Sequence, residues 1–155
     1  MKIFEITKIL KEELRSLILE KTEMTESNLY DTDYTNDLDI VSSDTVILYS
    51  LNMLKPYEGF IVRISDRYLY NIVFEVSVTL QTKKEGPNLG DLLLYISNGE
   101  KLAERYFMKD TGQQINIKNA DPLQNSNYNE NNQKWFRQIL KFNFIYEGEY
   151  TNGNI

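Results

Sequence analysis

Residues 135–147 read Trp-Phe-Arg-Gln-Ile-Leu-Lys-Phe-Asn-Phe-Ile-Tyr-Glu. A charged, aromatic lead-in runs into a segment in which Leu140, Phe142, Phe144 and Tyr146 alternate with Lys141 and Asn143. Successive side chains of a strand point to opposite faces, so this alternation predicts a strand with one face buried. Residues 67–81 repeat the pattern, with Ile72, Phe74, Val76, Val78 and Leu80 on one face and Asn71, Glu75, Ser77, Thr79 and Gln81 on the other. Between these two long amphipathic strands stands one helical segment, and that order predicts a compact α+β domain.

Working outward, Ile6, Leu10, Leu14 and Leu17, flanked by Ile9 and Ile18, keep helical spacing from Ile3 onward, while Lys8, Lys11, Glu12, Arg15 and Lys21 occupy the opposite side. A helix with one apolar stripe lies on a core rather than inside it. Thr45-Val-Ile-Leu-Tyr-Ser-Leu is rich in β-formers, Lys55-Pro-Tyr-Glu-Gly marks a turn, and Phe60-Ile-Val-Arg-Ile is a further strand that forms a hairpin with the long one. After the break at Lys83-Lys-Glu-Gly-Pro, Asn88 stands at an N-cap position before Leu89, Leu92, Leu93, Ile96, Ala103 and Phe107. Asn98-Gly99 falls inside this second helix, which leaves a close helix contact, a kink or two shorter helices open. Gln114-Ile-Asn-Ile-Lys is a short strand.

The expected fold is therefore α+β, an antiparallel or mixed β-sheet of about four to five strands packed by two main helices, in a single domain over residues 1–155. Three segments stand outside this pattern. Residues 22–40 are read as an extended acidic loop or arm anchored by Leu29, Tyr30 and Tyr34, residues 119–133 as a polar Asn-rich loop, and residues 148–155 as a flexible tail.

The net charge of −6 is concentrated. Residues 1–21 hold five basic and four acidic side chains and residues 55–155 hold twelve of each, whereas residues 22–54 carry Glu23, Glu26, Asp31, Asp33, Asp37, Asp39 and Asp44 with no base. The rest of the chain offers no basic stripe to neutralise phosphates, so sequence-specific nucleic-acid binding is not expected. No signal peptide or membrane-spanning run is expected either, because charges at Lys2, Glu5, Lys8 and Lys11 break the first apolar stretch and every later one is interrupted.

With neither cysteine nor histidine in the chain, thiolate chemistry, the Ser-His-Asp triad and the commonest transition-metal ligand are excluded; catalysis would fall to Asp, Glu, Lys or Tyr. Glu12-Glu13 and Glu100/Glu104 are paired acids, but each set sits beside Lys or Arg on a helix face, which is the pattern of surface ion pairing. Asp31, Asp33, Asn36, Asp37 and Asp39 fail as a calcium loop, because counting from Asp31 puts Asn36 where glycine is required and Ser42 where a bidentate glutamate is required. Glu85-Gly-Pro-Asn-Leu-Gly lacks the Lys-Ser/Thr ending of a phosphate-binding loop. Neither an enzyme nor a metal or cofactor is expected. Trp135, Phe136 and Arg137 are read either as an interface anchor or as the edge of the core.

Three elements carry a resemblance: the strand ending Val78-Thr-Leu-Gln, the helix with Ala103 that follows a Gly-bearing turn, and the Trp135/Arg137 lead-in to Leu-Lys-Phe-Asn-Phe-Ile-Tyr. In their order along the chain, residues 57–147 resemble the tail-terminator and neck proteins of long-tailed bacteriophages and related contractile particles. The resemblance implies a homo-oligomeric ring, usually a hexamer, that caps the tail tube where it joins the head. Tail-tube and head-connector proteins would be its partners, DNA would pass through the ring, and its location would be the virion neck, assembled in the host cytoplasm. The family has no catalytic residues to transfer. Residues 22–40 and 119–133 depart from the pattern. On this reading Asp31, Asp33, Asp37 and Asp39 face a channel or a neighbouring subunit, and Trp135 and Arg137 are interface residues. A tail-completion or tail-tube component, and a monomeric protein-interaction module with an aromatic groove, are the alternatives.

Overall fold

The computed structural model describes the backbone of residues 3–33, 44–64, 67–97, 114–120 and 122–151, and side chains at 5–33, 44–54, 72–97 and 122–146. Helix α1 is Ile3–Lys21, a 3-10 turn covers Glu26–Asn28, and strands β1 (Leu29–Asp31), β2 (Thr45–Ile64) and β3 (Arg67–Thr82) follow. Helix α2 (Gly90–Ser97) precedes β4 (Gln114–Ala120), β5 (Gln124–Glu130) and β6 (Gln133–Thr151). The strands form one mixed sheet in the order β1-β2-β3-β6-β4, with β5 also paired to β6. The fold is α+β, as the alternating strands require. Among the described strands, β1 and β2 pair in parallel, and the β2–β3, β3–β6, β4–β6 and β5–β6 pairs are antiparallel.

Both helices cover the same face of the sheet. Ile6, Leu10, Leu14, Leu17 and Ile18 of α1 and Leu92 and Ile96 of α2 enter one buried cluster with Ile47, Tyr49 and Leu51 of β2, the predicted stripe Ile72 to Leu80 of β3, and Leu140, Phe142, Phe144 and Tyr146 of β6. Phe74 and Phe144, directly paired across β3 and β6, stack with ring centroids 5.3 Å apart, and Tyr146 meets Phe74 edge-on at 6.3 Å. Such pairs add to simple burial, which alone stabilises by roughly 1.5–3 kcal/mol for each large apolar side chain.

Asn88 caps α2. Its Oδ1 accepts the Gly90 N–H at 2.9 Å, and its Nδ2 donates to the Gly86 carbonyl at 3.1 Å. Gly86 has φ +118, a conformation that a side chain at this position would strain. The Leu89 N–H, another group left over at the helix start, donates to Gln138 Oε1 of β6 at 2.8 Å, tying the helix to the sheet. The continuation of this helix past Ser97, including Asn98-Gly99 and the stretch to Phe107, lies outside the described residues.

Four expectations change. The acidic segment is not wholly a loop: within 22–33 the chain makes the 3-10 turn and then β1, whose Leu29 is buried and pairs with Ile47. Residues 34–43 lie outside the described residues. The turn expected at Lys55–Gly59 is an irregularity within one long strand, since pairing with β3 shifts between Met53 and Lys55 and again between Pro56 and Ile61. Proline is tolerated there because β1 pairs with β2 only at residues 47–49 and β2 is otherwise an edge strand among the described residues. The tail expected from residue 148 is strand as far as Thr151, with Gly148 opposite Tyr70.

The fourth concerns the Asn-rich stretch, most of which is strand. Residues 124–130 form β5, and Asn131 and Asn132, at φ 51 and 63, turn the chain directly into β6. Two successive left-handed residues match the right-handed twist of a hairpin, and asparagine tolerates that conformation better than other non-glycine residues. Asn132→Val is expected to destabilise the fold by about 1–2 kcal/mol whereas Asn132→Gly leaves it unchanged or slightly more stable, as read by urea denaturation. Equal midpoints for the two variants would contradict the turn geometry.

Candidate assembly interface

Of the predicted residues that are described, Asp31 and Asp33 lie at or just past β1 at one edge of the sheet, and Trp135 and Arg137 lie in β6 between β3 and β5. At the β1 edge, Lys11 on the polar side of α1 reaches Asp31 at 3.0 Å and Asp33 at 2.9 Å. The Lys11 and Asp31 side chains keep only 17% and 13% of their exposure. The Asp33 N–H donates to Asp31 Oδ1 at 3.0 Å, the Thr32 N–H donates to the Tyr49 carbonyl at 3.1 Å, and Arg15 Nη1 donates to the Tyr49 hydroxyl at 3.0 Å. Two of the four expected channel-facing acids, Asp31 and Asp33, are therefore held against α1, in a cleft that Lys8, Glu12 and Arg15 also line. Asp37 and Asp39 lie outside the described residues. The other described acids of residues 22–54, Glu23, Glu26 and Asp44, are exposed, and Glu23 lines a cleft with Asp91 and Tyr95 of α2.

Burial lowers the Lys11 pKa, but its hydrogen bonds to Asp33 and Asp31 and their negative charges together outweigh that, and the ammonium ends above its ordinary 10.5. A group whose folded pKa is raised stabilises fully below its unfolded value and loses that contribution as pH rises through the folded one. Lys11→Met is expected to cost about 1–2 kcal/mol at pH 7, from the hydrogen bonds to two charged acceptors. The gap between wild type and variant closes above pH 10.5 in denaturation curves. A gap unchanged at high pH would show that the effect is packing rather than charge.

At the other edge the β5–β6 hairpin gathers aromatic and basic groups. Tyr128 lies directly across from Trp135, and their rings are parallel within 8° at a centroid distance of 6.2 Å. Lys83, just beyond the end of β3, places its Nζ 5.0 Å from the Trp135 ring centre and 3.3 Å from Asp44. Lys134 sits 5.1 Å from the centre of the Phe136 ring. The Tyr128 hydroxyl donates to Gln81 Oε1 at 3.4 Å, and Gln138 Nε2 donates to Asn125 Oδ1 at 2.9 Å. Tyr128 has its pKa raised, first by burial and then by Glu130, with Arg137 pulling the other way. Arg137 Nε is buried and has no hydrogen-bond partner among the described residues. A cleft of about 290 Å³ opens beside it, lined by Lys84, Glu85, Asn125, Asn127, Phe136 and Arg137 among others.

Trp135 and Arg137 are thus brought together with Lys83, Tyr128 and Gln81, three residues that the sequence reading did not single out. A signal for Tyr128 was present: a two-residue turn at Asn131-Asn132 necessarily sets 130 opposite 133 and 128 opposite 135. Nothing local pointed to Lys83, which arrives from β3.

Among the described residues no group of three or more Asp, Glu, Cys or His side chains is placed to hold a metal ion, and no helix is long and apolar enough to cross a membrane. Compared with known proteins, the chain matches no family model and no curated protein sequence.

Proposed function

We propose that this chain is a structural, non-enzymatic subunit of a long-tailed bacteriophage particle, a tail terminator or neck protein that forms a hexameric ring at the head-proximal end of the tail. The observation that carries the reading is the architecture of the sheet: helices cover one face, and among the described strands β1 stands at one end of the strand order and β4 with β5 at the other. Edge strands are natural places for association, and a subunit that joins neighbours on both sides needs a surface at each side. The stacked Tyr128–Trp135 pair beside Lys83 at one edge has the aromatic and cationic character of an interface centre. An acidic segment suits the lining of a DNA passage, because it repels phosphate.

Size-exclusion chromatography with light scattering, followed by electron microscopy, tests the reading. The expected result is a ring of six copies, alone or on adding tail tubes. A chain that stays monomeric at high concentration and ignores both tubes and connectors would refute it in favour of an interaction module. Binding along the tube instead of at its end would favour a tail-completion or tube component.

A further inference from the structure

We infer that the cleft between residues 84–88 and the facing ends of β3, β6 and β5 is a binding site for a single sugar unit. It lies on the helix-bearing face of the sheet. Trp135 and Arg137 alternate with Phe136 and Gln138 along β6 and take the opposite face, with Gln81 and Tyr128, so the site stands whether or not the ring reading does.

Strand register builds the floor. Two cross-strand rows meet there, Thr82–Phe136–Asn127 and Leu80–Gln138–Asn125, and Pro87 and Asn88 of the loop form the facing wall of a space of about 290 Å³. That is the small end of the range for ligand pockets, suited to one ring rather than a chain.

The amides are oriented before any ligand arrives. Gln138 Oε1 accepts the Leu89 N–H at 2.8 Å, and Gln138 Nε2 donates to Asn125 Oδ1 at 2.9 Å. This relay settles which end of each amide is which and leaves Asn125 Nδ2 as a donor to the cleft. On the facing wall, the Gly90 N–H and the Gly86 carbonyl settle Asn88 in the same way. Asn127, exposed and about 7 Å from Asn125 along β5, supplies both a donor and an acceptor. Half-buried Phe136 puts an apolar ring beside these groups.

This mixture matches a sugar. Each hydroxyl both donates and accepts, as an amide does, while the C–H face of the ring packs on an aromatic side chain. Amides on two facing walls suit hydroxyls that radiate from a puckered ring, whereas a nucleobase carries its polar groups in one plane and is gripped by stacking. The charges favour neither an anion nor a cation. Lys84 and Glu85 offset each other in the lining, Arg137 takes the other face, and Lys134 is seated 5.1 Å from the centre of the Phe136 ring.

Nitrogen–proton correlation spectra of the full chain, titrated separately with D-glucose, D-galactose, D-mannose and N-acetyl-D-glucosamine, test the site. At least one sugar is expected to shift the side-chain amide signals of Asn125 and Asn127 saturably, with a Kd of about 1 mM, while glycerol and adenosine do not. Asn127→Ala and Asn125→Ala, both at exposed positions, each weaken that binding about fivefold with distant signals unmoved, and Lys84→Met leaves it within about twofold. No saturable shift with any of the four sugars overturns the site. Equal shifts with glycerol, binding of adenosine instead, unchanged affinity in both asparagine variants, or a larger loss in Lys84→Met than in Asn127→Ala overturns the assignment to a sugar held by amides.

Discussion

Replacing Phe144 with alanine is expected to lower the unfolding free energy by about 3–5 kcal/mol. Phe144 sits in β6 between β3 and β4, opposite Phe74 on one side and Ile117 on the other. It is 1% exposed, stacks on Phe74, and lies 6.4 Å from Phe142. Truncation removes the transfer free energy of the ring and leaves a cavity in the middle of a sheet held by hydrogen bonds on both sides, where collapse is difficult. Domains of this size have a total stability of about 5–15 kcal/mol, so the loss is a large fraction of what keeps the chain folded. Phe144→Leu, which keeps more of the volume and the apolar character, should cost clearly less. Urea denaturation followed by circular dichroism measures both, and an alanine variant within about 1 kcal/mol of wild type would show that the stack is not packed as described.

Trp135→Ala is the second large effect, and it divides between fold and assembly. Within the chain, Trp135 loses its parallel stack with Tyr128 and its contact with Lys83. A pair of that kind contributes about 0.5–1.5 kcal/mol, and Trp135 is only half-buried, so the fold should survive with a modestly lower melting temperature. Association should suffer more. Tryptophans at interface centres cost about 2 kcal/mol or more on truncation, equivalent to about a thirtyfold weaker association. Trp135→Phe retains a stacking ring and should recover part of it. A Trp135→Ala chain that associates as tightly as wild type, with an unchanged dissociation midpoint in light scattering, would remove Trp135 from the interface.

Much of the architecture was readable because it is written in periodicity. Every predicted inward residue of β3 from Ile72 to Leu80, and of β6 from Leu140 to Tyr146, is buried, and so are Ile6, Leu10, Leu14, Leu17 and Ile18 of α1. The Asn88 cap was readable because capping depends on a side chain within two residues of the group that it satisfies. Elements with no side-chain period were not. β1 has three residues, too few to show a pattern, and its partners in β2 are eighteen positions away. In β5 every side chain except Tyr128 is exposed, so no alternation marks it, and its asparagines read as loop. Four residues of β2 lie between the paired Pro56 and Ile61 with only Asn71 opposite, which gave an apparent turn inside a continuous strand.

The same division runs through the candidate interface. The amino-acid sequence by itself determined which segments are amphipathic, that seven acids fall together without a base, and that Trp135 and Arg137 lead into a core strand, because each of these is a property of neighbouring residues. Only the tertiary structure decided that Asp31 and Asp33 are taken up by Lys11, that Lys83 comes to lie over Trp135, and that Asp44 of the acidic segment meets Lys83 across the sheet. Charges have no preferred period and reach partners across space, so their pairing follows from strand order and register, which exist only once the chain has folded.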